Sequence, residues 1–226
     1  MGLDAERKKV YDLLNDRMYH VAANQRKYVW TSNNWHELLD DIELVFSEKT
    51  SNHFIGSVVL KKEQVDDGVR NHFSIIDGQQ RISTLTIMLC TIAYIFAENN
   101  QESYFKGLRR VLLVEDDKAK TFPIVSEYAN RHISKLVVCL FENVHQHFEK
   151  EIPLISVPDL MKKTGTIKVI RECFEFFYKE FSDKVGDDME KLSKYRNLIY
   201  DIRYIDIIAE EDEDAYTIFE VLNARG

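Results

Sequence analysis

Apolar positions recur at helical spacing through most of this 226-residue chain, and at strand spacing only towards its two ends. Residues 4–17 alternate charged and apolar positions and read as a first helix, with Val10, Leu13 and Leu14 on one face. Residues 19–30 read as an extended segment and loop. A helix is predicted over about 34–47, capped by Ser32 or Asn33, with Trp35, Leu38, Leu39, Ile42, Val45 and Phe46 as its stripe. Residues 54–60 and 72–76 are short β-rich runs flanking a polar loop, which predicts a long-loop hairpin. Asp77-Gly-Gln-Gln-Arg81 follows directly and opens a largely apolar helix to about Ala97. Helical periodicity then runs through 105–113, 126–150, 166–185 and 187–200, punctuated by Pro123, Pro153 and Pro158. Residues 202–208 read as a strand, and the acidic run 210–214 begins a last helix, where negative charge suits the helix start.

The expected architecture is therefore α+β. Residues 1–97 and 200–226 form one unit around a small mixed sheet, and 98–199 form a large helical insertion. Composition supports an ordinary globular chain: 45% apolar and 30% charged residues exclude a disordered tail, a fibre or a disulfide scaffold. Lys+Arg 30 against Asp+Glu 38 gives a net charge of −8, which argues against a generally basic nucleic-acid coat but leaves a local basic site open. Cys90, Cys139 and Cys173 lie in apolar helical patterns, as free thiols in a cytoplasmic protein would. The charged start has no signal-peptide pattern. The longest apolar run, 85–97, is too short and too Thr-rich to span a bilayer, so no membrane partner is expected. At Leu222-Asn-Ala-Arg-Gly226 a helix-ending Gly should lead into more chain, and a fragment of a longer protein is expected.

Chemistry concentrates at Asp77–Arg81. A strand entering a helix through one Gly presents free backbone N–H groups and the positive end of the helix dipole. Gly78 admits a group close to the backbone. Gln79, Gln80 and Arg81 supply donors, and Arg81 is suited to bidentate phosphate binding. Asp77 is suited to a Mg2+ ion or to orienting a water. A purely structural alternative has Asp77 as N-cap and Gln80 completing a capping box. Arg81 shifts the balance, because a cation in the first turn opposes the dipole by about 0.3–1 kcal/mol and a bound anion removes the conflict. The Lys-Ser/Thr pair of a Walker loop is absent.

A second cluster is Asn24–Trp30. Arg26 and Lys27 give local positive charge, and Tyr28 and Trp30 interleave aromatics, a mix that suits a nucleotide or a nucleic-acid strand. The alternative is a strand edge whose aromatics pack into the core, and for Trp30 that is the preferred reading. His145 and His147, two apart, fall on different helix faces and do not make a zinc pair. Cys90 reads as inert core. Lys106, Arg109, Arg110, Lys118 and Lys120 suit DNA contact or a solvated face equally well. The acidic run 210–214 is a solvated helix start or a metal site.

Gln25-Arg-Lys-Tyr-Val-Trp30, Trp35-x-x-Leu-Leu-x-Asp-Ile42, Phe54-Ile-Gly-Ser-Val-Val59, Ile76-Asp-Gly-Gln-Gln-Arg-Ile-Ser-Thr-Leu85 and Ala215-x-x-Ile-Phe-Glu-Val-Leu-Asn-Ala-Arg-Gly226 occur in this order. Together they resemble the N-terminal domain of GmrSD-type restriction enzymes. The resemblance implies a ParB/sulfiredoxin-like fold, with nucleoside triphosphate binding and Mg2+- or Mn2+-dependent hydrolysis at the Asp-Gly-Gln-Gln-Arg loop. By that resemblance Asp77, Gln79, Gln80 and Arg81 are catalytic and Asp77 holds the metal. Gln25, Arg26, Tyr28, Gly78, Gln80, Arg81, Asn223 and Arg225 bind the nucleotide. Arg26, Lys27, Tyr28 and Trp30 touch DNA. The family's first motif usually begins Ile-Pro, where Val21-Ala22 stands here. The full proteins act on foreign, often modified DNA, commonly through an appended HNH-type nuclease domain. No His-Asn-His pattern occurs in this sequence, so an HNH-type nuclease is expected in another domain or subunit. A homo-oligomer is among the assemblies open to it. The expectation is a nucleotide-binding sensor in which Arg26 and Tyr28 face the same cavity as Arg81. The rivals are a non-catalytic reader of modified DNA and a ParB-like domain that itself cuts DNA.

Overall fold

The computed structural model describes residues 4–15, 17–22, 25–48, 54–65, 70–115, 121–127, 132–165, 167–211, 214 and 217–218. Strand β1 (Asp4–Lys9) leads into a short helix α1 (Val10–Leu14) and strand β2 (Arg17–Val21). Helix α2 (Ser32–Glu48) precedes the strands β3 (Phe54–Lys62) and β4 (Asn71–Asp77). Helix α3 (Gln79–Glu98) and helix α4 (Glu102–Leu112) follow, then three short strands, β5 (Leu113–Glu115), β6 (Thr121–Pro123) and β7 (Val125–Glu127). Helices α5 (His132–Lys150), α6 (Val157–Thr164), α7 (Lys168–Val185) and α8 (Met189–Asp201) lead to strand β8 (Arg203–Ala209).

Six strands form one mixed sheet in the order β1-β8-β3-β4-β2-β7. β3 and β4 are the predicted antiparallel hairpin, β8 runs parallel to β3, and β2 parallel to β4. The fold class is α+β, as the sequence pattern requires. Helix α3 is buried from Gln79 to Ala97 on every side except at Arg81. An all-round apolar helix must be surrounded, and α4, α5, α7 and α8 pack about it. It is long and apolar enough to cross a membrane, but it is buried inside the fold as its core helix. The hydroxyls of Thr84, Thr86 and Thr91 donate to the carbonyls of Gln80, Ile82 and Ile87 one turn back, so their burial leaves no hydroxyl unmatched.

Two expectations are corrected. Residues 4–9 form a strand, with only 10–14 helical. Asp4-Ala-Glu-Arg-Lys-Lys9 pairs antiparallel with β8 at the sheet's edge, where charged side chains are at home. Nor are strands confined to the chain's two ends: β7 lies within 98–199 and pairs parallel with β2 through Tyr19–Val125 and His20–Ser126. Three residues are too short to show a period, and pairing with β2 defines this strand. One hydrophobic cluster runs from Val10 to Tyr204 and takes residues from the sheet and from the helical block alike.

A buried ion pair ties distant strands together. Arg17 on β2 gives two hydrogen bonds to Asp206 on β8, at 2.8 and 2.6 Å, across the two strands between them. Asp206 is 1% exposed, Lys8 adds a second cation at 3.0 Å, and the Arg17 guanidinium lies 4.9 Å from the Phe73 ring centroid. Burial alone would push the Asp206 carboxyl up. Hydrogen bonds and charge from Arg17 and then Lys8 reverse this and hold it below its ordinary range.

Candidate functional site

The junction of β4 and α3 is an uncapped helix start. β4 ends at Asp77, whose partner on β3 is Val59. Gly78 occupies the cap position with φ +92°, and α3 begins at Gln79. The alternative capping box of Asp77 and Gln80 does not form, because Gly78 displaces Asp77 from the cap, and among the described residues no side chain accepts from the first turn. The first N–H groups of α3 are thus left to a ligand or to water. Only glycine suits this turn: a Cβ at Gly78 would lie 3.0 Å from Val58 Cγ2, at a φ that L residues rarely adopt.

Arg81 sits in a seat on β3. Its Nη1 donates to Ser57 O at 2.9 Å. A Cβ at Gly56, itself at φ +98°, would lie 3.1 Å from the guanidinium carbon. Gly56 therefore clears room for a flat cation in the strand. Ser57 takes one of five guanidinium donors, and no second acceptor of Arg81 occurs among the described residues. Sequence reasoning gave Gly56 and Ser57 no role. The signal was there, since glycine inside a strand marks a close approach.

Residues 25–29 are stitched to this junction by two glutamines. Gln25 Nε2 donates to Ile75 O at 3.0 Å and to Ile76 O at 3.3 Å. In return, Gln80 Oε1 accepts from Val29 N at 2.8 Å and Gln80 Nε2 donates to Lys27 O at 3.2 Å. Arg26 and Lys27 stand exposed on the stitched segment. Tyr28 turns inward. Its hydroxyl bonds Thr84 Oγ1 at 2.7 Å, accepts from Trp35 Nε1 at 2.9 Å and lies 3.4 Å from Cys173 Sγ. Burial pushes the Tyr28 phenol far up.

These contacts sort the expected site residues. Tyr28 is a core residue, 5% exposed, with no face for a base or a nucleotide. The expectation that it faces a cavity with Arg81 is corrected: Gln80 and Thr84, one turn apart, hold the 27–29 segment, while Arg81 points to β3. Trp30 packs half-buried against the core. Gln80 has both amide atoms engaged by main chain. Gln79 differs: at 9% exposure, its Oε1 is sealed from solvent without a hydrogen-bond partner. An orphaned acceptor of this kind is costly unless a donor reaches it. Asn223 and Arg225 lie outside the described residues. Among the described residues, no group of three or more His, Cys, Asp or Glu is placed to hold a metal ion. Lys106 and Arg109 pair with Glu102 and Glu115 at the surface, as a solvated face would.

A comparison with protein families matches residues 10–226 to the GmrSD restriction endonuclease N-terminal domain. The chain belongs to this family. A comparison with curated proteins gave no match. Membership makes this GmrSD-type N-terminal domain part of a DNA-restriction, phage-defence protein that works with a nuclease domain. It also gives the match a span that includes the helices of 98–199, which the sequence motifs left uncovered.

Proposed function

We propose that this domain is a cytoplasmic nucleotide sensor that binds and hydrolyses a nucleoside triphosphate and thereby gates a nuclease outside this chain. The observation that carries the reading is the uncapped start of α3, which has a seated Arg81 on one side and the orphaned Gln79 Oε1 at its first residue. Phosphate oxygens lie on the first N–H groups of α3 and on the remaining donors of Arg81. Arg26 and Lys27, carried on the stitched segment, add positive charge in a chain of net charge −8. Asn223 and Arg225 join them from the family's last motif. A single carboxylate at Asp77 suits a Mg2+ or Mn2+ ion that takes its other ligands from phosphates and water, and such an ion would neutralise phosphate charge when bound.

The two glutamines of the loop then have different tasks. Gln80 and Gln25 hold the basic segment in place and act as positioning residues. Gln79 Oε1, sealed in the free chain, is uncovered when the nucleotide binds and then accepts a hydrogen bond from the attacking water and orients it. Water adds to the γ-phosphorus, the bond to the β–γ bridging oxygen breaks with its electron pair going to the diphosphate, and of the water's two protons one stays on inorganic phosphate and the other passes to solvent.

Phosphate release, read beside chemical denaturation, tests this assignment. Gln79→Ala is expected to fold with undiminished stability, because it removes an unsatisfied buried acceptor. It should keep nucleotide affinity and lose about tenfold or more in turnover, at ~1.4 kcal/mol per tenfold. Gln80→Ala is expected to lose about 1–3 kcal/mol of stability and to speed amide exchange at Val29. Equal effects of the two substitutions on turnover and stability would defeat the division of labour. A second reading, a non-catalytic DNA reader, draws on the exposure of Arg26 and Lys27. It requires DNA affinity that falls steeply with salt and does not depend on Gln79.

A further inference from the structure

At the far end of α3 from this junction lies a cavity of about 570 Å3, within the range of small-ligand pockets. Tyr94 and Glu98 of α3, His147 of α5, Pro158 of α6 and Tyr178 of α7 wall it. Its charge is one-sided. Glu98 ends α3, at the negative pole of the helix dipole, and the last turn holds no basic residue. None of the lining residues is Lys or Arg, and no ion pair to Glu98 occurs among the described residues. Glu98 is exposed as a residue, yet desolvation at the wall pushes its carboxyl up against the hydrogen bond from Tyr178 that pulls it down. α3 thus carries a charge at each end that opposes its own dipole, Arg81 at the start and Glu98 at the finish.

The cavity's hydrogen-bonding groups are mostly acceptors. The Tyr178 hydroxyl is engaged by Glu98 Oε1 at 3.3 Å, the Tyr94 hydroxyl by Ile155 O at 2.8 Å and the Ser156 hydroxyl by Asp159 Oδ2 at 2.8 Å. His147 Nδ1 bonds Ile152 O at 2.9 Å, so the proton sits on Nδ1 and the neutral ring keeps an acceptor at Nε2. Among the side chains of the wall only the Asn100 amide offers free donors, and the start of α6 at Ser156–Pro158 adds backbone donors beside it. The rings of Tyr94 and Tyr178, 5.9 Å apart and edge to face, add aromatic surface to the wall.

We propose that this cavity binds a small organic ammonium ion with an apolar or aromatic body, its N–H groups on the Glu98 carboxylate and His147 Nε2. The site is independent of nucleotide binding at the other end of α3. Calorimetric titrations with phenethylammonium chloride and with sodium phenylacetate, at equal ionic strength, test it. One-to-one saturable binding is expected for the ammonium and none for the carboxylate of similar shape. Glu98→Gln is expected to weaken the ammonium about ten- to a hundredfold, the range for losing a hydrogen bond to a charged group, without lowering the melting temperature of the free protein. Indistinguishable titrations of the two probes, absence of saturable ammonium binding, or unchanged binding in Glu98→Gln would overturn the proposal. The two probes on the unaltered chain decide the matter even if Glu98→Gln fails to fold.

Discussion

Arg17→Met is expected to cost about 3–5 kcal/mol of stability at neutral pH, the range for removing one partner of a buried ion pair. Asp206 would stay buried, with Lys8 its one remaining ion-pair partner among the described residues. Methionine retains apolar contact with Phe73 but offers Asp206 no donor, so the loss reports the charge and not the volume. The pH dependence carries a sign. Arg17, then Lys8, hold the folded Asp206 carboxyl below its ordinary value of 3.8 despite burial. A depressed folded value means that the contribution is fully present above the unfolded pKa and is lost as pH falls through the folded one. Without Arg17, burial raises the folded value instead, and protonation relieves an uncompensated charge. The gap between wild type and variant should therefore be widest near pH 7 and narrow towards pH 4. Denaturant melts at both pH values check this. A gap under about 1 kcal/mol, independent of pH, would show that the pair is not a structural tie.

Arg81→Ala separates binding from folding at the proposed site. Losing the bond to Ser57 O removes about 0.5–1.5 kcal/mol. Removing a cation from the positive end of α3 returns about 0.3–1 kcal/mol. The net loss of stability is expected to stay below about 1 kcal/mol. Nucleotide affinity should fall by about 1.5–3 kcal/mol, roughly ten- to a hundredfold or somewhat more. Thermal melts of both proteins, with and without Mg2+ and a nucleoside triphosphate, read the two quantities together. A purely structural Arg81 would give the opposite pattern, a large loss of stability and no ligand-induced shift to lose.

Much of the fold is legible in the residues because burial imposes a period. The stripe Trp35, Leu38, Leu39, Ile42 and Val45 is buried along α2. The apolar run after Arg81 is the core helix, and the runs at 54–60 and 72–76 pair as a hairpin. β1 escaped this logic. Its side chains are charged because it is an edge, and edge strands carry little apolar signal. β7 escaped because partners from β2, not its own three residues, define it.

Within the candidate site, the glycine turn and the helix start could be read from sequence, since Gly78 stands between a β-branched run and an apolar helix. The roles of the side chains could not. Tyr28 and Arg26 share one short segment, yet one enters the core and the other meets solvent. Gln79 and Gln80 are chemically identical and adjacent, and the 100° between them on a helix sends Gln80 to main chain while Gln79 Oε1 has no partner among the described residues. That distinction depends on what lies opposite each residue, which no local pattern encodes.

Isothermal titration of the chain with the four common ribonucleoside triphosphates, each with and without Mg2+, addresses the nucleotide site most directly. Saturable one-to-one binding of at least one triphosphate is expected, weakened in Arg81→Ala and retained in Gln79→Ala. The absence of binding to all four at millimolar concentration, by a wild-type chain that melts cooperatively, would contradict it.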